Sequence, residues 1–202
     1  MSSQSREDAI LARIFAAIGT TNRVAVECGA RDGVKGSNTH QWRAQGWRCV
    51  LFDRAPKAPI VHQVMLTAEN IADTFAAYRV PASFDLLSID VDGNDFHLWK
   101  ALAGYTPRVV VIEYNASFAP HESVVMPYRA QHHWDKTNYY GASAAALVKL
   151  GREKGYVLVD YTPQLNLIFV RADVAVHLED MALPPAAPYG YPSDGGRRWE
   201  AY

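Results

Sequence analysis

The sequence predicts an α/β protein with a Rossmann-like, seven-stranded, mostly parallel sheet, helices on both faces and a C-terminal antiparallel hairpin. Short β-branched runs alternate with helical patterns between residues 23 and 113, which is typical of parallel strands joined by right-handed crossovers. The run at 84–90 carries apolar residues at successive positions, Leu86 and Leu87, as a strand does when both faces of its sheet are covered. The runs at 156–161 and 165–171 are separated only by a short turn, which predicts the hairpin.

Each element up to residue 113 has its own signal. Isoleucines four residues apart mark an amphipathic first helix, which Ser5 and Asp8 begin as an approximate capping box. Gly46 stops the second helix. In chain order, the predicted elements are a helix at 5–18, a strand at 23–28, a helix capped within Ser37–Thr39 and ending at Gln45, strands at 49–53 and 61–66, a helix carrying Ile71, Phe75 and Tyr78, a strand at 84–90, a helix carrying Phe96, Trp99 and Leu102, and a strand at 108–113.

The alternation of strands and helices ends after residue 113. Residues 116–140 show no clear periodicity but are rich in His, Trp and Tyr, and long irregular segments in compact domains are usually lids or binding loops. Ser143 then caps a helix that runs to about Lys154. The tail at 181–202 is rich in Pro, Gly and Tyr and has no predicted structure. Its aromatic residues either cover a site or contact a second copy in a homodimer, and the sequence leaves both open.

The composition fits a single domain, predicted over residues 1–180. The chain has 202 residues, 49% of them hydrophobic, and a formal net charge of −1. This balance offers no electrostatic footprint for nucleic acid or for an anionic membrane, so neither is an expected partner. The N-terminal stretch resembles neither a signal peptide nor a membrane span, and Cys28 and Cys49 lie in predicted buried strands. We therefore expect a reduced, cytoplasmic protein.

Polar side chains follow four of the predicted strands. They lie at Glu27–Asp32, Asp53, Asp90–Asp92 and Glu113–Asn115. In an open α/β sheet this carboxyl edge is where ligands bind, especially near the point at which the strand order reverses. The sequence therefore predicts a ligand site there.

The residues after the first strand restrict the chemistry of that ligand. Glu27 stands where dinucleotide folds keep an apolar residue, and a carboxylate favours a cationic group. Gly29, Gly33 and Gly36 do not have the G-x-G-x-x-G spacing that brings pyrophosphate to the backbone. Pyrophosphate would also meet like charges at Glu27 and Asp32. S-adenosylmethionine, which has an ammonium, a sulfonium and a ribose but no phosphate, suits these residues better.

Two segments carry a family resemblance. Glu27-Cys28-Gly29 with Asp32-Gly33, followed by Asp53 after the next strand, resembles the opening of class I S-adenosylmethionine-dependent methyltransferases. The stretch from 84 to 95, with the acid that ends the next strand, is more closely similar to the FkbM-like branch, although Asp92 replaces the commoner Glu and Asp32 a common Gly. The resemblance covers roughly residues 23–171. It implies methyl transfer to an oxygen, hydroxyl or carboxylate, of a small-molecule acceptor that the 116–140 loop would contact.

The resemblance also implies roles for individual residues. Glu27, Gly29 and the nearby backbone would hold the methionine end, Asp53 the ribose hydroxyls, and Asn70 with Ile71 would lie near the adenine. The turn at Asp90–Asp92 would face the sulfonium. The full set of expected cofactor-binding residues is Glu27, Gly29, Asp32, Gly33, Asn38, Asp53, Arg54, Asn70, Ile71, Asp90, Val91 and Asp92.

Catalysis would need a positioned acceptor and, for a hydroxyl acceptor, a general base. His132 and His133 have suitable unperturbed pKa values, and the alternative is that both are surface residues. Asp90 and Glu113 are the expected catalytic carboxylates. Together with Asn115 they offer oxygen ligands for Mg²⁺, an arrangement similar to that of metal-dependent sugar O-methyltransferases. Direct binding of substrate by these acids is the alternative to a metal.

Aromatic residues of the irregular segment leave a further choice open: Trp134, Tyr139 and Tyr140 either wall an acceptor pocket or pack in the interior. Two other functions also remain. An NAD-dependent oxidoreductase is disfavoured by Glu27 and the glycine spacing. A non-catalytic binding or scaffold protein with the same fold would tolerate changes in the histidine-rich loop.

Overall fold

The computed structural model describes residues 3–202 and contains, within that range, five helices and nine strands. The helices are α1 (Glu7–Ile18), α2 (His40–Ala44), α3 (Ile71–Ala77), α4 (Asp95–Ala101) and α5 (Ala144–Glu153). The strands are β1 (Val24–Cys28), β2 (Arg48–Asp53), β3 (His62–Gln63), β4 (Leu86–Ile89), β5 (Val109–Glu113), β6 (Val124–Val125), β7 (Tyr156–Thr162), β8 (Asn166–Arg171) and β9 (Glu200–Ala201). None of the helices in this range is long and apolar enough to cross a membrane.

Seven of the strands form one sheet in the order β3-β2-β1-β4-β5-β8-β7. The first five strands of the chain pair in parallel, whereas β8 is antiparallel to both β5 and β7. The predicted α/β fold with its C-terminal hairpin is therefore confirmed. The strand order reverses between β1 and β4, which makes the carboxyl ends of these two strands the switch point of the sheet.

Apolar side chains cover both faces of the sheet. In β5, Val110 and Ile112 belong to one buried cluster and Val109 and Val111 to the other, as the two-residue period of a strand requires. The first cluster packs beneath α3, α4 and α5, and the second beneath α1 and α2. This packing explains why the central strands carry apolar side chains on both faces.

A buried ion pair holds the amino ends of the central strands together. Asp85 and Arg108 lie 3.0 Å apart, and their side chains are 0% and 7% exposed. Asp85 also accepts hydrogen bonds from the backbone N–H groups of residues 21–23, while Arg108 donates to the carbonyl groups of Ile18 and Gly19. The predicted strand at 84–90 is shorter in the structure, where β4 spans Leu86–Ile89.

Two further predicted elements have different boundaries in the structure. The first helix begins at Glu7, and its reciprocal hydrogen bonds join Ser3 to Asp8, at 3.2 and 3.3 Å, rather than Ser5 to Asp8. Ser5 instead donates its backbone N–H to the Glu7 carboxylate. The predicted strand at 61–66 contracts to the two residues of β3, because this strand lies at the edge of the sheet and finds partners only at the end of β2.

The last residues of the chain pack against the domain although the sequence predicts no structure for them. β9 pairs antiparallel with β6. The Tyr202 ring packs edge-on against Phe96, and the ammonium groups of Lys100 and Lys149 lie 4.7 and 5.0 Å from its centroid. The tail thereby returns to the side of the sheet on which α4 and α5 lie.

Candidate ligand-binding site

A cavity of about 530 Å³ opens at the carboxyl edge of the sheet, at the switch point between β1 and β4. Its volume lies within the range of small-molecule sites. The walls come from the ends of β1, β2, β4 and β5, from the loop before α5 and from the tail. The predicted site residues that line it are Glu27, Gly29, Asn38, Asp53, Arg54, Asp90, Val91, Asp92, Glu113 and His132.

Glu27, at the end of β1, organises the loop that follows it. Its carboxylate accepts hydrogen bonds from the hydroxyls of Ser37 and Thr39, both at 2.6 Å, and from the backbone N–H of Asn38 at 2.8 Å. Burial raises the pKa of Glu27, and the hydrogen bonds from Ser37 and Thr39 oppose that rise. The Glu27 carboxylate thus uses much of its hydrogen-bonding capacity within the protein, and the loop at 37–39 folds against this carboxylate.

Gly29 allows the chain to cross closely over the end of β4. Its φ is +91°, and a Cβ at this position would lie 1.6 Å from the backbone oxygen of Asp90. The N–H groups of Gly29 and Ala30 both donate to the carbonyl of Phe52. Gly29 is therefore required for the approach of two strand ends, and its N–H is not free for a ligand.

Asp53 ends β2 and faces the cavity with both oxygens already oriented. Oδ2 accepts from the Arg31 N–H at 2.8 Å, and Oδ1 accepts from the Ala55 N–H at 2.7 Å. A carboxylate oxygen can accept two hydrogen bonds, and each Asp53 oxygen accepts one from the backbone. The side chain therefore retains acceptor capacity toward the cavity. The arrangement fits recognition of a diol.

Three carboxylates converge at the ends of β4 and β5. One oxygen from each of Asp90, Asp92 and Glu113 lies within 4.8 Å of the others. Burial, followed by the charge of Asp95, raises the pKa of Asp90, and burial with the charge of Asp90 raises that of Glu113. Oε2 of Glu113 is buried and has no hydrogen-bond partner in the described chain. This group of like charges favours a cation.

Asp95 supports the turn that carries two of these acids. It is fully buried at the start of α4, and its carboxylate accepts from the N–H groups of Val91 and Gly93. Burial raises its pKa to about 6, although the hydrogen bonds from Val91 and Gly93 act in the opposite direction. Asp95 thus fixes the backbone from Asp90 to Gly93, with Asp92 held at a φ of +58°.

The structure places Asp32 and Gly33 outside the cavity lining. Asp32 accepts from the N–H groups of Val34 and Lys35 and so closes a local turn. Gly33 has a φ of +68°, and a Cβ there would lie 2.8 Å from the Leu51 side chain. Both residues shape the loop behind the site.

Asn70 and Ile71 do not line the cavity either. Ile71 is fully buried in the core, and the Asn70 carboxamide connects the Met65 carbonyl with the Thr67 N–H just before α3. Met65 and Leu66 take the lining position instead, because the chain turns inward as soon as the short strand β3 ends.

Asn115 is removed from the carboxylates by its own hydrogen bonds. Its side chain is completely buried, donates to the carbonyls of Asn138 and Tyr140, and accepts from the Ser117 N–H. It braces the loop before α5 and does not line the cavity. Asp92, and not Asn115, lies with Asp90 and Glu113 in a group of acidic side chains that could hold a metal ion.

The two candidate histidines lie in different surroundings. His132 is half-buried and lines the cavity, and its Nε2 is buried without a hydrogen-bond partner among residues 3–202. Burial, followed by the charge of Arg129, lowers the pKa of His132. His133 is exposed, does not line the cavity and contacts Arg54 through Nδ1.

Aromatic residues form a wall that sequence reasoning identified only in part. Trp134 and Tyr140 line the cavity, whereas Tyr139 packs against Trp199. The tail adds Tyr189 and Tyr191, which the sequence left between two roles and the structure places at the cavity. The ring centroid of Trp134 lies 4.9 Å from that of Tyr191 and 6.0 Å from that of Tyr140.

An apolar slot beside Asp53 was missed entirely. Phe52, Val64, Met65 and Leu66 line the cavity there. The available signal was the apolar end of the predicted strand at 61–66, which leads to the same edge of the sheet as Asp53.

Comparison of the sequence with models of known protein families finds no match, and comparison with curated proteins finds no relative.

Proposed function

We propose that this protein is an S-adenosylmethionine-dependent methyltransferase that acts on an oxygen of a small molecule. The supporting observation is the layout of the cavity at the switch point. The acidic edge at the ends of β1 and β4, the oriented Asp53 at the end of β2 and the apolar slot after β3 follow one another across the sheet. A ligand with a cationic end, a ribose and a flat apolar base has complementary parts in the same order.

Each part of that ligand meets suitable chemistry. Asp53 keeps acceptor capacity for the two ribose hydroxyls, and the slot at 64–66 matches the adenine. The amino end lies toward the acids at the β1–β4 edge, where Asn38 also offers a buried Oδ1 that has no partner among the described residues. The resemblance of the opening segment to class I S-adenosylmethionine-dependent methyltransferases, and of the 84–95 segment to the FkbM-like branch, supports the same assignment.

A dinucleotide is the weaker candidate because the N–H groups that would bind its pyrophosphate are occupied. Gly29 donates to Phe52, the Asn38 N–H to Glu27, and the N–H groups of Thr39 and His40 to the Ser37 hydroxyl. Phosphate sites at helix N-termini depend on such groups being free. The nearby helix α2 also has only five residues.

The cofactor would supply the activated methyl group, and the protein would position the acceptor and remove its proton. His132 is the better of the two histidine candidates, since its lowered pKa keeps the imidazole neutral near pH 7 and its Nε2 is unpaired at the cavity. The exposed His133, which contacts Arg54, is the weaker base. Glu113, whose pKa is raised, is a second proton acceptor at the same wall.

Binding of Mg²⁺ beside the acceptor is the alternative to direct binding of the acceptor by these carboxylates. The mutual distances within 4.8 Å favour Asp90, Asp92 and Glu113 as its ligands, in place of the set with Asn115. The ion would lower the pKa of an acceptor hydroxyl.

Binding of S-adenosylhomocysteine to two matched variants tests the proposal. Asp53→Asn removes a carboxylate from the cavity, and Asp32→Asn makes the same change in a turn outside it. We expect Asp53→Asn to weaken binding about tenfold or more, as for loss of hydrogen bonds to a charged group, and Asp32→Asn to leave it unchanged. Equal dissociation constants for the two variants, both with wild-type melting temperatures, would refute the assigned role of Asp53.

A further inference from the structure

The carboxylates of the cavity lack a cationic partner within the protein. Among residues 3–202, no nitrogen of Lys, Arg or His lies within 4.0 Å of a carboxylate oxygen of Asp90, Asp92 or Glu113. The single side-chain hydrogen bond to the group is a long one, 3.3 Å from Gln4 to Asp90. Arg31 and Arg54 act on Asp92 only through longer-range attraction, which opposes the rise that desolvation at the cavity causes in the pKa of Asp92.

Two further polar groups that line the cavity, on Tyr140 and Asn94, have no hydrogen-bond partner among the described residues. Tyr140 is 5% exposed, lines the cavity and has no hydrogen bond from its hydroxyl to any described residue. Asn94 is 4% exposed, lines the same cavity, and has a buried Oδ1 without a partner. Buried polar groups are normally hydrogen-bonded, so the buried Oδ1 of Asn94 indicates a ligand with a hydrogen-bond donor.

The aromatic wall distinguishes an organic cation from a metal ion. Trp134, Tyr140 and Tyr191 pack edge to face around the cavity, with centroids 4.9 to 6.2 Å apart. An ammonium group is attracted to such rings and is hydrogen-bonded by carboxylates at the same time. Mg²⁺ keeps several waters and gains nothing from a wall of rings.

We infer that the methyl acceptor carries a protonated amine, which binds between the Asp90–Glu113 carboxylates and the aromatic wall of Trp134, Tyr140 and Tyr191. The inference rests on the proposed function, since it identifies the class of that acceptor. The amine hydrogens satisfy the unpaired acceptors, and the rest of the acceptor packs on the rings. The tail takes part in this selection because Tyr191 belongs to it.

Calorimetric titration with probes that differ in one group tests the inference. Tyramine has a ring, a hydroxyl and an ammonium, and 4-propylphenol replaces only the ammonium with a methyl group. Each probe is titrated into protein saturated with S-adenosylhomocysteine, so that the amine of the cofactor product is already accommodated. We expect tyramine to bind about tenfold more tightly than 4-propylphenol, as for hydrogen bonds to charged groups.

Variants assign the preference to the site. In Glu113→Gln the two probes should bind equally, and Asp92→Asn gives a second measurement from an exposed position that does not threaten folding. Asp73→Asn, which makes the same charge change on the exposed surface of α3, should retain the tenfold preference. Equal binding of both probes to the wild type, or a preference retained in Glu113→Gln and Asp92→Asn, would overturn the inference.

The remaining outcomes separate this inference from the proposed function. A preference for tyramine that disappears when S-adenosylhomocysteine is present would assign the acids to the cofactor and overturn the inference. Binding of Mg²⁺ that depends on Glu113, with no preference for tyramine, would make the group a metal site and overturn it as well. A preference that persists although S-adenosylhomocysteine never binds would support the amine subsite and overturn the methyltransferase proposal.

Discussion

Gly29→Ala should destabilise the protein strongly through a single backbone contact. The added Cβ would lie 1.6 Å from the Asp90 carbonyl oxygen, an overlap that only a shift of two strand ends relieves. Overpacking of this kind costs roughly 1–3 kcal/mol. The φ of +91° adds about 1–2 kcal/mol for a residue with a side chain. We therefore expect a loss of about 2–5 kcal/mol in the free energy of unfolding.

Gly46→Ala is the matched control. Gly46 has a similar φ of +82°, but a Cβ there would meet nothing within 4 Å. Urea denaturation of both variants should show that Gly46→Ala loses only about 1–2 kcal/mol, the conformational part. If the two variants lose the same free energy, the close approach of Gly29 to Asp90 at the ends of β1 and β4 does not determine the stability of the site.

Three further changes test interactions that stabilise the fold. Arg108→Ala leaves the buried Asp85 without its ion-pair partner and should cost about 3–5 kcal/mol by urea denaturation. Glu113→Gln should stabilise the protein at pH 7.5 but much less at pH 4.5. The raised pKa of Glu113 means that its contribution to stability is present below the unfolded pKa and is lost as the pH rises through the folded pKa. Tyr202→Ala removes the ring contacted by Lys100 and should cost about 1–2 kcal/mol, measured as a lower melting temperature.

Each of these three measurements has a result that contradicts its reasoning. A loss under about 1 kcal/mol for Arg108→Ala would mean that the backbone donors alone satisfy Asp85. A difference between wild type and Glu113→Gln that shrinks as the pH rises would show that the folded protein favours the charged form of Glu113. An unchanged melting temperature for Tyr202→Ala would mean that the tail does not stabilise α4 and α5.

The sheet could be predicted because its signals are local. The apolar runs of β1, β2 and β5 indicate buried strands, and the acids at or near their ends mark the carboxyl edge. Ten of the predicted site residues line one cavity, among them Glu27, Asp53 and Glu113. Strand ends of a parallel sheet meet at one edge whatever the loops do, so this part of the site followed from the order of elements.

The remainder depended on contacts between residues far apart in the chain. The hydrogen-bond partners of Glu27 come from residues 37–39, and the Asn38 N–H that donates to Glu27 is therefore not free to bind a ligand. Asn115 looked like a ligand because it follows β5, but its carboxamide is occupied by the loop at 138–140. Tyr191 lines the cavity although it belongs to the tail, and no periodicity in the sequence predicts a contact between the tail and the sheet edge.

Calorimetric titration of the wild-type protein with S-adenosylhomocysteine, S-adenosylmethionine and NAD tests the central claim most directly. We predict micromolar binding of both sulfur ligands at one shared site and no binding of NAD, since the N–H groups that pyrophosphate needs are occupied. Binding of NAD with no heat from either sulfur ligand would contradict the assignment of the cavity and restore the oxidoreductase. Absence of binding by all three would instead favour a protein that keeps the fold without this chemistry.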